Sequence, residues 1–229
     1  MNSLKRLEGS HLPPKSGTAK RMVIFLHGYG ANGADLLSIG SEWAEALPDA
    51  VFLSPNAPEP CEQWSVGYQW FPIRAADGIV SKELDRAETV RKPAAILNAY
   101  IDGQLEQWNV DESSMAVAGF SQGAMMAMYA MPRRKKACAA IIGYSGMLVD
   151  AEGLKDPAIV KPAVLAIHGD ADDVVPPFCL QNVQSGFSAA GFEVEAILRP
   201  GLGHGIDQFG LTHGLQFVKS WLEKGAEKD

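Results

Sequence analysis

Met115-Ala116-Val117-Ala118-Gly119-Phe120-Ser121-Gln122-Gly123-Ala124-Met125-Met126-Ala127-Met128-Tyr129-Ala130 reads as a strand, a G-x-S-x-G turn and a helix, in that order. A serine at so sharp a turn is forced into a strained backbone region. Glycines two residues before and after it leave room for strand and helix to approach. The hydroxyl then stands clear of the sheet, and the amide of Gln122, at a helix start, points at whatever the serine attacks. The bland alternative is an ordinary tight turn between strand and helix; the flanking elements favour a nucleophile elbow. A nucleophile elbow needs three further parts from the chain: a base, an acid and an oxyanion hole.

Outward from the elbow, strands alternate with helices. Residues 21–27 are nearly continuous in apolar side chains, as buried parallel strands are. A helix over 35–47, stopped by Pro48, and a short strand over 51–54 come next. Residues 55–80 are irregular and carry Trp64, Tyr68, Trp70 and Phe71. The pattern over 81–108 is helical, with Ser81 as N-cap and Pro93 expected to bend or interrupt it. Beyond the elbow the expectation is a strand over 137–144, a short connection over 145–161 and a strand over 163–168. A helix over 177–190, a strand over 193–198 and a closing helix over 206–224 complete it, while residues 1–20 suit a short edge hairpin. Such alternation predicts an α/β fold, with a mostly parallel central sheet, helices on both faces and a single domain over 1–229. Reactive groups in this class sit at the C-terminal ends of the strands.

Composition narrows the partners. A formal net charge of −7 argues against nucleic acid or an anionic membrane surface. Cys61, Cys138 and Cys179 are far apart, which suits neither a disulfide framework nor a zinc site, and no metal is expected. Residues 1–20 hold no apolar stretch long enough for a signal peptide, and no run of about eighteen apolar residues occurs anywhere. A cytoplasmic protein without integral membrane association is expected.

Five histidines compete for the role of base. His204 lies on a glycine-flanked loop directly after the last strand, free to be aimed at the serine. His27 and His168 each end a strand in a His-Gly pair and read as braces for neighbouring loops. His213 falls inside the closing helix, and His11 in the first twenty residues. The acid must orient the imidazole and stabilise its cation. Asp170, Asp172 and Asp173 all follow the strand that ends at His168, and chemistry alone does not choose among them; the others are turn residues. Any of the three gives the order Ser, Asp, His, which is that of α/β-hydrolases. For the oxyanion hole, Gln122 supplies one backbone N–H and the loop His27-Gly28-Tyr29-Gly30 the other, with Tyr29 the favoured donor. The same loop, Gly28-Tyr29-Gly30-Ala31-Asn32-Gly33, is a literal G-x-G-x-x-G. A dinucleotide site would want an acid at the end of the next strand, where Leu53-Ser54-Pro55-Asn56 has none.

With these pieces in place, the chain resembles the carboxylesterase/lysophospholipase family of α/β-hydrolases, which includes acyl-protein thioesterases and small bacterial carboxylesterases. The likeness runs through Phe25-Leu26-His27-Gly28-Tyr29-Gly30, Ser54-Pro55-Asn56-Ala57-Pro58, Gln69-Trp70-Phe71, Gly119-Phe120-Ser121-Gln122-Gly123-Ala124, Tyr144-Ser145-Gly146, His168-Gly169-Asp170-Ala171-Asp172, Val175-Pro176 and Gly203-His204. It implies Ser121 as nucleophile, Asp172 as acid, His204 as base, Tyr29 and Gln122 as oxyanion donors, and Trp70 and Phe71 as substrate contacts. It further implies an ester hydrolase without cofactor, acting on small-molecule or lipid esters, and suggests a homodimer. Lysophospholipase and acyl-protein thioesterase are the alternative activities; a scaffold that binds without turnover is the alternative class. Residues 145–161 are too few for a helical cap, so an open site is expected. Met125, Met126 and Met128 read as core filler. Arg133-Arg134-Lys135-Lys136 reads as a solvated turn in preference to a headgroup site.

Overall fold

A computed structural model of the chain describes residues 5–73 and 86–226. Strand β1 (Gly9–Leu12) precedes β2 (Arg21–Leu26), α1 (Gly33–Trp43) and β3 (Ala50–Pro55). Two short strands, β4 (Glu59–Pro60) and β5 (Tyr68–Gln69), lead to α2 (Arg86–Trp108), β6 (Met115–Phe120) and α3 (Gln122–Ala130). The chain closes with β7 (Ala140–Tyr144), β8 (Ala163–Gly169), α4 (Phe178–Ala189), β9 (Val194–Arg199) and α5 (Gln208–Ala226). Seven strands form one sheet in the order β1-β3-β2-β6-β7-β8-β9. Within this sheet β1 runs antiparallel to β3, and the other pairings are parallel.

Residue alternation along the strands divides the core in two. Met22, Ile24 and Leu26 of β2 and Val164 and Ala166 of β8 join Leu97, Met126, Val183 and Phe187 from α2, α3 and α4. Val23 and Phe25, with Leu165 and Ile167, face the other way and meet Ile39 and Trp43 of α1 and Val218 and Leu222 of α5. Both faces are therefore apolar, which is why these strands read as unbroken hydrophobic runs. Each such side chain, fully buried, contributes about 1.5–3 kcal/mol.

Several expectations change in detail. Residues 9–12 form one edge strand on β3, not a hairpin. Helix α1 begins at the Asn32 cap, whose side chain accepts the Ala34 N–H, and ends at Trp43. Buried Ala44 and Leu47 prolong its apolar pattern into a turn before Pro48, and so mimic helix. The irregular stretch contains the small antiparallel pair β4–β5, too short to show a period. Pro93 lies inside α2 without ending it, and the expected cap residue Ser81 is outside the described residues. Between β7 and β8 stands a single short 3-10 turn, Glu152–Lys155, so no helical cap covers the sheet there. Among the described residues no helix is long and apolar enough to cross a membrane.

The basic run after α3 is solvated only in part: Lys135 and Lys136 are exposed and Arg133 donates to the Tyr129 carbonyl at the helix end, whereas Arg134 is not solvated. Arg134 is buried, donating to Glu112, to Asp102 at 2.7 Å and to Asn98. Arg133 pairs with Asp150 at 2.7 Å, and Lys136 with Asp111 at 3.1 Å. These contacts come from α2, the turn before β6 and the β7–β8 connection, none of which a local charge pattern reveals.

Candidate active site

Steric necessity accounts for the elbow's glycines. A Cβ at Gly123 would lie 1.9 Å from the Leu26 carbonyl oxygen, and one at Gly119 would lie 2.3 Å from the Gly123 backbone. Gly119 packs on the start of α3 and Gly123 on the end of β2, each too closely for any side chain. Ser121 between them adopts φ 53° and ψ −115°, a region a non-glycine residue occupies at a cost of about 1–3 kcal/mol. Its N–H is held by the Tyr144 carbonyl of β7 at 2.9 Å, and its own carbonyl accepts from Met125. The surrounding sheet thus imposes the strain.

Ser121, His204 and Asp172 meet. His204 Nε2 is 3.0 Å from Ser121 Oγ, and its Nδ1 is 2.8 Å from Asp172 Oδ2. A carboxylate only accepts, so Nδ1 carries the proton and Nε2 is left to accept from the hydroxyl. The other carboxylate oxygen, Oδ1, accepts the backbone N–H groups of Val174 and Val175 at 2.9 and 2.8 Å. Burial alone would push the Asp172 carboxyl upward. The bonds from His204, Val175 and Val174 outweigh it and hold the group below the ordinary carboxylate range, hence ionised. The Phe120 ring lies 4.9 Å from the imidazole and covers one side of it.

The loop that carries His204 is tied down at several points. Asp170 accepts from the Gly201 N–H at 2.7 Å, as a turn residue would. Ala171 donates to the Leu202 carbonyl, and the Ser145 hydroxyl reaches the Gly205 carbonyl at 3.4 Å. Arg199 and Asp207 close the base of the loop at 2.9 Å. Ser145, buried and at φ 48°, is a supporting residue that the sequence reading missed; Tyr144-Ser145-Gly146 was its only trace. Asp173 is exposed, and His213 lies on α5 paired with Glu195.

The opposite wall belongs to the loop after β2. His27 is buried; its Nε2 accepts the Ala57 N–H at 3.0 Å and its Nδ1–H donates to Gly28. Burial lowers its pKa, opposed by the Gly28 carbonyl and Asp35, so it braces the loop as a neutral ring. Gly30 and Ala31 are in turn bonded to Tyr68 of β5. Among the described residues the amides of Tyr29 and Gln122 are given to no protein acceptor, and Ser121 sits between the two segments.

A cleft of about 320 Å³ opens beside Ser121, walled by Phe71, Ile73, Met125, Val149 and Val174. Two side chains depart from expectation here. Trp70 is fully buried and does not line the cleft: its indole N–H donates to the His27 carbonyl at 3.0 Å and its ring joins the core. Met125 is a wall residue, unlike Met126 and Met128, because one turn beyond the elbow its side chain leans back over the serine. Gln122 contributes a side chain as well as an amide. Its Oε1 accepts the Trp70 N–H and its Nε2 donates to the Phe71 carbonyl, both at 2.7 Å. Nothing in the sequence pattern signals that bridge.

The family model for phospholipase/carboxylesterase matches residues 8–223. Esterase YpfH of Escherichia coli K12 is 29% identical over 203 residues, covering 85% of this chain and 82% of its own. Acyl-protein thioesterase 1 homolog 1 of Dictyostelium discoideum is 25% identical, covering 95% and 98%. Among solved structures, esterase PE8 superposes with a TM-score of 0.88 at 36% identity, covering 94% of this chain and 99% of that one.

Proposed function

The chain belongs to the phospholipase/carboxylesterase family of α/β-hydrolases, and from that premise we propose that it hydrolyses carboxylic esters by a Ser121-His204-Asp172 triad. The observation that carries the reading is the relay itself, 3.0 Å from hydroxyl to imidazole and 2.8 Å from imidazole to carboxylate. His204 Nε2 takes the Ser121 proton as Oγ attacks the ester carbonyl. The tetrahedral oxyanion is received by the N–H groups of Tyr29 and Gln122, each worth roughly 3–4 kcal/mol in such a role. Collapse breaks the carbonyl–alkoxy bond, His204 returns the proton to the departing alcohol, and an acyl-enzyme remains. Water, deprotonated by the same imidazole, attacks the acyl carbon; Oγ leaves, is reprotonated, and the acid is released.

Acyl groups of small to medium size suit a cleft of this volume and apolar lining, with Phe71 as one wall. Three buried cysteines outside any disulfide fit a reducing, cytoplasmic setting. A thioester could enter the same site, and the likeness to a named acyl-protein thioesterase favours that as the second reading. Replacing Ser121 by Ala should lower kcat by roughly 10⁴-fold or more and abolish labelling by a fluorophosphonate. A variant with wild-type turnover would remove Ser121 from the mechanism. Rates on p-nitrophenyl esters of increasing chain length, set beside a matched thioester, would separate the two substrate classes.

A further inference from the structure

His168 is the penultimate residue of β8, four residues before Asp172, with 1% of its surface exposed. Its Nε2 lies 2.8 Å from the Val175 carbonyl oxygen and 3.2 Å from Asp172 Oδ2. A carbonyl cannot donate, so this nitrogen carries the ring proton. The residue whose carbonyl it holds is the same one whose N–H donates to Asp172 Oδ1. His168 thus fixes the 172–175 turn from its far side. It also sets the positive end of an N–H dipole beside Oδ2, the oxygen that receives His204.

We propose that His168 is a positioning residue, acting through Asp172 and the 172–175 turn to keep the carboxylate aimed at His204. The proposal rests on the triad reading above. The groups that face Asp172 are His204 from the loop after β9, His168 from β8 and the amides of Val174 and Val175; among the described residues no other ionisable side chain pairs with it. A carboxylate with no exposed side-chain surface has no water to replace a lost partner. Without the N–H of His168 the turn is free to shift, and a misplacement of about 1 Å at a reacting group can cost 10²-fold.

The test is a cycle of variants in the intact protein. His168→Phe keeps the ring and loses the donor; it should lower kcat about 10–100-fold with little change in KM. His168→Gln places an amide N–H where Nε2 was, and should recover most of that loss. In an Asp172→Asn background, itself expected to lose about 10⁴-fold, His168→Phe should cost almost nothing more, because the residue through which it acts is already disabled. An equal cost in both backgrounds, or no rescue by Gln, would reduce His168 to a packing residue and leave the triad intact. An Asp172→Asn enzyme with full activity would instead overturn the triad. If the Phe variant does not fold, nitrogen-15 spectra of the wild-type protein decide. The proposal requires the Nε2–H tautomer, with a proton resonance that moves when Ser121 is phosphonylated; an Nδ1–H tautomer or an unmoved signal would overturn it.

Discussion

The two ends of α3 are both built from buried polar groups, and they are finished in opposite ways. At the C-terminal end the single Arg134 guanidinium is shared between two carboxylates, Glu112 and Asp102, and also donates to Asn98. At the N-terminal end Ser121 is held at positive φ, its hydroxyl shared with a partly exposed imidazole, beside the amides of Tyr29 and Gln122, which have no acceptor among the described residues. One end spends every donor on the fold. On the proposed mechanism the other keeps two amide donors for charge that develops only during the reaction. Substitutions at the first should therefore change stability and spare turnover, while substitutions at the second should do the reverse.

Arg134→Ala is the largest expected break on the stability side. It strands buried Glu112 without its counter-charge, and loss of one partner from a buried pair typically costs about 3–5 kcal/mol. Urea unfolding should show that loss, with kcat at 25 °C changed less than about threefold wherever the variant is folded. A large fall in kcat with unchanged stability would erase the distinction between the ends.

Gln122 sharpens the contrast, because its carboxamide belongs to the stabilising kind at the reactive end. Gln122→Leu leaves the Trp70 N–H and the Phe71 carbonyl unpaired in a buried setting, each worth about 1–3 kcal/mol. Since Phe71 walls the cleft, KM for long-chain esters should rise more than KM for acetyl esters. An equal rise for both would place the effect in the backbone amide instead.

Much of this was legible in one dimension, for physical reasons. The doubly covered sheet writes itself as unbroken apolar runs, and the elbow's glycines are demanded by contacts of about 2 Å that local spacing already announces. His204 and the aspartates fall at strand ends, where any α/β sheet exposes side chains. What was not legible depends on partners distant in sequence. The burial of Arg134 depends on residues of α2 and of the turn before β6. Trp70 looked like a substrate contact until its indole was found on the carbonyl of His27. The choice of Asp172 over its neighbours depends on which carboxylate reaches a loop about thirty residues later, a fact of three-dimensional register.

The smallest effect should come from His27, which braces the loop after β2 as a neutral ring. Burial lowers its folded-state pKa below the reference 6.5. The unfolded chain therefore binds the proton more readily, so the ring favours the fold least at acid pH. Its contribution is complete above about pH 6.5 and declines as pH falls toward the lowered value. Asp172, whose folded-state value is depressed, is lost only further into acid, through the carboxylate range. The thermal midpoint should accordingly begin to drop below about pH 6.5, before any carboxylate titrates. In His27→Gln the side-chain carbonyl can accept the Ala57 N–H without titrating, so the curve should stay flatter between about pH 6.5 and 5. Identical curves for the two proteins would mean that His27 is not the group responsible, and that the loop opposite Ser121 is held by Tyr68 and the β4–β5 pair instead.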